Sequence, residues 1–576
     1  MAFGTPQDDI ISGRGSHFGL AGNDDLSTTF QNGILDGGTG DDTLLVDFDS
    51  DTVPPYPLVQ YLLNGGSGDD SISADVRVSD RTTLRDYSPV ITVNGGTGND
   101  VTSIDQTIYL DWIDSDGYGA GVLTPSNTVV DQFGDNTVSV SSFYGSDDGG
   151  VEAQTSIFTG NGADNVTTDF FSEGNNYSTT INQTIHLGGG NDQLTMTQRS
   201  GYGVMMIDAG GGHDNINMTF WGDGANEGGN GFTFALDAGL GNDTVVANVS
   251  EAYSCGGISS GGNFNLGGGH DNFILNAGYG NNYDIDLGSG SNVARISIGD
   301  DNPVDYGPHT INVVGANGGN DIQIDLSYAN DENLSSSVTT GSGRDTVVIN
   351  NTFNNTVSTG SKADSITVTS IGCENTNNID AGNGRDTVSV TADDEHSYYT
   401  MTSINGGLGD DVITSTHNET GIHNINGGSG HDLITMIGGS GTALGEAGND
   451  TITGTAGDDT IDGGNATDHL TGGLGDDQLT GGIGADTFVF CANCDEGQDT
   501  ITDWDRALDI LNMTGITDAG ATGLADDIDA ISSITDDGTD VVLSLNSGTV
   551  ITFAGIGTGA ITSVADLVND PLNQLA

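Results

Sequence analysis

The sequence predicts an all-β fold: a parallel solenoid of stacked strand-turn-strand rungs, ending in a small C-terminal β-rich cap. Three observations carry that expectation. Glycine-rich turns recur along almost the whole chain, and each closes on an Asp. Apolar residues stand two positions after that Asp and seven before it, the period-two spacing of strands. A unit so small cannot bury a face alone, so stacking of repeats is the way such a chain makes a core.

The repeat is sharpest between Gly445 and Val489, where nonapeptides open at Gly445, Gly454, Gly463, Gly472 and Gly481. Their sixth residues are Asp450, Asp459, Asp468, Asp477 and Asp486, and their eighth are Ile452, Ile461, Leu470, Leu479 and Phe488. Upstream the same Asp returns with longer inserts at Asp24, Asp42, Asp70, Asp100, Asp164, Asp192, Asp214, Asp243, Asp271, Asp321, Asp345, Asp364, Asp386, Asp411 and Asp432. Degenerate copies stand at Asp135-Asn136 and Ser291-Asn292. The apolar row after the Asp includes Leu44, Ile72, Leu194, Val245, Val347 and Ile434. The row before it includes Leu35, Leu63, Ile185, Leu236, Ile379 and Ile425. At Asp100 and Asp321 the downstream position falls on Thr102 and Gln323.

In parallel rungs these rows become internal ladders, and the turns are expected to form a ladder along one edge. Glycine suits turns of positive φ that bring backbone carbonyls close together. The Asp adds anionic oxygens, and two adjacent turns can supply the six or more that calcium prefers; magnesium demands a stricter octahedron. Twenty repeat Asp suggest on the order of twenty calcium ions.

Composition supports a bound hard cation. The chain has 576 residues, with 82 acidic residues against 10 Lys and Arg and a formal charge of −72. Of the acids, 72 are Asp, and Lys362 is the one lysine. So few cations give no footprint for nucleic acid or an anionic membrane. Disorder is the competing reading of such charge, but the recurring apolar strands argue for a fold. With 93 Gly and 9 Pro, collagen-like and Pro-rich architectures are excluded. No stretch approaches a membrane span, and Met1-Ala2-Phe3-Gly4 does not read as a signal peptide.

The nonapeptides resemble the repeats-in-toxin family of haemolysin-type calcium-binding repeats, sharply over 445–489 and irregularly over about 33–442. The resemblance implies a right-handed, calcium-filled β-roll and export by a type I system that reads an uncleaved C-terminal signal. The tail, with Asp486-Thr487-Phe488-Val489-Phe490 and Asp499-Thr500-Ile501-Thr502-Asp503-Trp504, is similar to the family too. The long rungs depart from its nine-residue period. Four regions are expected: a cap with degenerate repeats (1–32), a long-rung solenoid (33–442), a nonapeptide roll (443–490), and a cap with the secretion region (491–576). In the last, Val541-Val542-Leu543-Ser544-Leu545 and Thr549-Val550-Ile551-Thr552-Phe553 flank Asn546-Ser547-Gly548 as a hairpin.

Other motifs read as chance or structure. Gly257-Ile258-Ser259-Ser260-Gly261 matches a nucleophile elbow but lies among repeats, without the strand-to-helix setting that motif needs. His213, His270 and His431 each precede a repeat Asp and are read as free outward positions. Asp47, Asp49 and Asp51 share a strand face, and Thr52 at position six excludes an EF-hand. Cys491 and Cys494 form a local disulfide or two idle thiols; Cys255 and Cys373 are too far apart to pair.

The expected function is a secreted structural or surface protein, such as an S-layer, matrix or filament subunit, that folds and self-assembles on binding extracellular calcium. An adhesin or carbohydrate-binding module is the alternative, its partner a cell-surface glycan. A polysaccharide lyase, epimerase or glycosidase ranks third, because polyanionic substrates need a basic groove that nine Arg and one Lys hardly supply. No catalytic residue is assigned.

Overall fold

The computed structural model describes the chain apart from residues 51–57, 81–87, 111–121, 147–149, 174–178, 200–202, 222–231, 251–260, 279–281, 300–308, 327–333, 372–374, 394–399, 419, 517–523, 570–573 and 576. Asp51, Thr52, Cys255, Cys373 and most of the Gly257–Gly261 motif lie outside the described residues. The chain divides into two units, Met1–Gly315 and Ala316–Ala576.

In the first unit, strands alternate between two parallel sheets, and each pairs with the strand two places on. Leu58–Ser67 pairs with Ser88–Thr97, and Ser71–Asp80 with Val101–Leu110. The pairing is in register, so like positions stack: Leu35, Leu63, Val93, Val129, Ile157 and Ile185 form one ladder. Leu44, Ile72, Thr102, Val138, Val166 and Leu194 form the other. All twelve are buried. Period-two alternation alone produces this, since each strand turns one row inward and the next outward.

Later rungs of this unit place aromatic rings in the same rows. Phe264 lies 5.0 Å from Phe273 and 6.3 Å from Phe234, centroid to centroid, and Phe234 lies 4.6 Å from Phe220. Polar residues also enter the interior in pairs: the Tyr144 hydroxyl donates to Gln106 Oε1 at 2.9 Å, and Gln183 Nε2 to Gln198 Oε1 at 3.1 Å.

The second unit continues this plan and then shortens its strands. Leu433–Ile437, Thr451–Thr453 and His469–Thr471 stack in one sheet; Ser440–Ala447, Thr460–Asn465 and Gln478–Ile483 stack in the other. A nonapeptide is a six-residue turn plus a three-residue strand, which is half a rung. Successive nonapeptides therefore face opposite edges: Ile452 stacks on Leu470 and Phe488, while Ile461 stacks on Leu479. The expected single ladder of turns becomes two ladders here, each stepping by eighteen residues.

Beyond the nonapeptides, Ser532–Asp536, Val541–Leu545 and Val550–Phe553 form an antiparallel meander that includes the expected hairpin. Its last strand joins Gln498–Ile501 in parallel. Trp504 is buried between Phe488 and Phe553, and its Nε1–H donates to the Leu567 carbonyl at 3.0 Å. Cys491 and Cys494 are disulfide-bonded. Among the described residues, no helix is long and apolar enough to cross a membrane.

Candidate metal-binding turns

Each turn runs over six residues and ends on the repeat Asp, whose side chain folds back under the turn. These Asp side chains build a ladder of their own. In the first unit the Asp24 N–H donates to Asp42 Oδ1 at 2.7 Å, Asp42 to Asp70 at 2.8 Å, and Asp70 to Asp100 at 2.8 Å. The series continues through Asp164, Asp192, Asp214 and Asp243 to Asp271. In the second unit it links Asp345, Asp364, Asp386, Asp411 and Asp432, then Asp450, Asp468 and Asp486. The opposite edge carries Asp459 and Asp477, extended to Asp499. Every amide of this column thus finds an acceptor one rung on, as buried backbone donors require.

Asn serves as well as Asp in that role. Asn136, Asn292 and Asn320 occupy rungs of the ladder, and each is buried. This corrects the assignment of Asp321. Asn320 is the ladder residue, with its N–H on Asp345 Oδ1 at 2.7 Å, and Asp321 stands one residue later, paired with Thr346. The turn keeps its six residues, Gly318-Gly319-Asn320 standing as Gly343-Arg344-Asp345 does one rung on, so Asn fills the ladder position and Ile322 takes the inward place expected of Gln323. Thr102 keeps its inward register at Asp100 and inserts a hydroxyl into the apolar row.

A second, exposed ladder runs through the residue before each Asp. Asp69 N–H donates to Asp41 Oδ1 at 3.0 Å, and Asn99 N–H to Asp69 Oδ1 at 2.8 Å. His213, His270 and His431 belong to it: their Nδ1 atoms accept from the N–H groups of Asn242, Ser291 and Asn449 at 2.7–2.9 Å. These histidines are exposed, as expected of outward positions, but they are not free, because each accepts a bond from the next rung. The column favours short side chains with an acceptor atom near Cβ, a signal already present in the run of Asp, Asn and His there.

The second carboxylate oxygen gives the main column its chemical interest. Oδ2 is buried without a hydrogen-bond partner along most of the column, at Asp42, Asp70, Asp100, Asp164, Asp192, Asp214, Asp243, Asp271, Asp364, Asp386, Asp411, Asp432, Asp450, Asp468, Asp477 and Asp499. Burial pushes the acid up to about 7 at Asp70 and Asp450 and about 6 at Asp468; the amide from the preceding rung opposes that shift. Asp131, which sequence reading passed over, is fully buried beside Asp100. Burial, and next the Asp100 charge, raise it to about 8.

Glycine is imposed here by space as well as by φ. A Cβ on Gly37 would stand 2.4 Å from Asp42 Oδ2 and 2.6 Å from the Gly65 carbonyl oxygen. On Gly445 it would stand 2.5 Å from Asp450 Oδ2 and 2.4 Å from the Gly463 carbonyl oxygen. The nonapeptide glycines Gly454, Gly463, Gly472 and Gly481 face their own Asp in the same way. Beside Gly37, Gly445 and Gly454 a carboxylate oxygen and a carbonyl oxygen of the next rung thus converge. Among the described residues no three His, Cys, Asp or Glu side chains converge on a metal position. A cation here would take its remaining ligands from backbone carbonyls, an all-oxygen set suited to a hard ion.

A shallow groove of about 450 Å³ lies on the outer face of one sheet in the first unit. Met206, Ala235 and Val314 line it together with His186, Asp208, Asp237, Asn265 and Asp286. His186 stacks on Phe158 at 5.1 Å.

No family model and no curated protein matches the chain. Among solved structures it is similar to the extracellular lipase LipA from Serratia marcescens, at 16% identity and a TM-score of 0.14. The alignment covers 50% of this chain and 44% of that one, less than half the lipase's length.

Proposed function

We propose that this chain is a secreted, calcium-binding β-solenoid that folds on meeting extracellular calcium and serves as a structural or surface protein. The observation that carries the reading is the column of buried, unpartnered Asp Oδ2 atoms facing next-rung carbonyls across glycine. Anionic oxygens so placed lose their water without gaining a proton donor, and stacked rungs bring like charges close together. A divalent ion answers both costs. In the calcium-poor interior of a cell the chain would stay largely unfolded and fit for export, and binding outside would become folding free energy.

Circular dichroism of the full-length chain titrated with calcium tests this reading. A β spectrum that develops cooperatively at calcium concentrations of about 10⁻⁴ to 10⁻³ M is expected. A chelated chain already rich in β structure would remove the proposal's basis. Within the column, Asp468→Ala should shift the calcium midpoint more than Asp364→Ala, because the Asp364 turn carries Lys362, at φ 83°, where its neighbours carry glycine.

The groove favours one second reading, a glycan-binding module. Its carboxylates and amides stand on a partly apolar floor beside the His186–Phe158 stack. Binding of neutral oligosaccharides that is lost on Met206→Asp would support it.

A further inference from the structure

We infer that the first residue of each turn decides which turns take calcium, and that the turns of the middle rungs hold none. This rests on the calcium reading above and restricts it.

Ten turns open on glycine and keep the space beside the Asp. In the first unit these are Gly19, Gly37 and Gly65; in the second they are Gly406, Gly427, Gly445, Gly463 and Gly481 on one edge and Gly454 and Gly472 on the other. In all of them a Cβ would lie 2.2–2.8 Å from the Oδ2 of the Asp five residues on. At Gly19, Gly37, Gly65, Gly406, Gly445 and Gly454 a next-rung carbonyl oxygen also lies 2.1–2.6 Å from that point.

In the middle rungs the same place carries a side chain. Leu187, Ala209, Ala238, Leu266, Leu287 and Ala381 open their turns, each fully buried. A buried Leu or Ala supplies no oxygen and takes up the volume that six or more ligands at about 2.3–2.6 Å must surround. Three other turns open on threonine and show the replacement directly. The Thr340 hydroxyl reaches both Asp345 Oδ2, at 2.8 Å, and the Thr359 carbonyl oxygen of the next rung, at 3.0 Å. Thr159 and Thr359 likewise donate to next-rung carbonyls, at 2.7 and 3.0 Å. At Thr340 the hydroxyl thus occupies the point at which the two oxygens meet across glycine elsewhere. The middle Asp residues, most of whose second oxygens are buried without a partner as well, still accept the bond from the preceding amide, a task that Asn136 and Asn292 perform without a charge. The middle rungs thus carry no ions of their own, and the ions belong to rungs near Gly19–Asp70 and Gly406–Asp486.

Native mass spectrometry of the full-length chain in calcium, paired with hydrogen exchange in calcium and in chelator, tests the inference. Expected are about ten bound ions and, on passing from calcium to chelator, protection lost first over 19–70 and 406–486 and only then over 185–298. Asp432→Asn should lower the ion count, whereas Asp243→Asn should leave it unchanged. About twenty ions, or a count that falls equally for both variants, overturns the inference and leaves the calcium reading standing. A chain that binds no calcium overturns both.

Discussion

Replacing Asp271 by Ala and by Asn separates the two tasks of a repeat Asp. Its Oδ1 accepts the Asp243 N–H at 2.9 Å, with Asp243 and Asp271 both buried. Alanine leaves that amide without an acceptor in a place water does not reach. The cost of an orphaned buried donor is about 1–3 kcal/mol, or roughly 5- to 150-fold in the local opening equilibrium. Asparagine keeps the acceptor atom and removes a carboxyl that burial pushes up to about 6; the chain itself uses Asn at the next rung, Asn292. Hydrogen exchange resolved to the Asp243 amide is the direct assay. Exchange should speed up by that factor in Asp271→Ala and stay within about threefold of wild type in Asp271→Asn, since a retained bond leaves only small side-chain differences. Equal acceleration in both variants would refute the acceptor argument and assign the column's stability to the charge.

Two further outcomes follow from the geometry. Gly66→Ala should disrupt its rungs, because φ is +109° and the new Cβ would stand 2.1 Å from the Gly38 carbonyl oxygen; Gly13→Ala, at φ +134° with nothing within 4 Å, should cost only about 1–2 kcal/mol of backbone strain. Melts of both variants in saturating calcium check the contrast. In chelator, the chain should gain β structure as pH falls from about 7 to 4. Asp70, Asp192 and Asp450 are raised to about 7 in the fold, so the native chain binds more protons than the unfolded one across that window. Circular dichroism showing no more β structure at pH 4 than at pH 7 would contradict those burial shifts.

The sequence by itself determined the rungs. Strand alternation and glycine punctuation are local, and the rows that begin at Leu35 and Leu44 are buried as their spacing requires. The hairpin at Asn546-Ser547-Gly548 was equally local. Register across rungs was not local. Asn320 rather than Asp321 joins the ladder because stacking on Asp345 fixes the frame, and nonapeptides face opposite edges because half a rung reverses the chain. Only the tertiary structure could show that His213 accepts from an amide 29 residues away, or that Asp131 comes to lie against Asp100. The same holds for Leu187, Ala238 and Leu266. In the sequence they stand where a turn glycine would, an ordinary substitution. In the fold each is fully buried, with its counterpart one rung on 21–28 residues away, at the place where glycine elsewhere leaves a carboxylate oxygen facing a next-rung carbonyl. What a side chain excludes depends on what stacks against it, and the spacing of a single turn does not carry that.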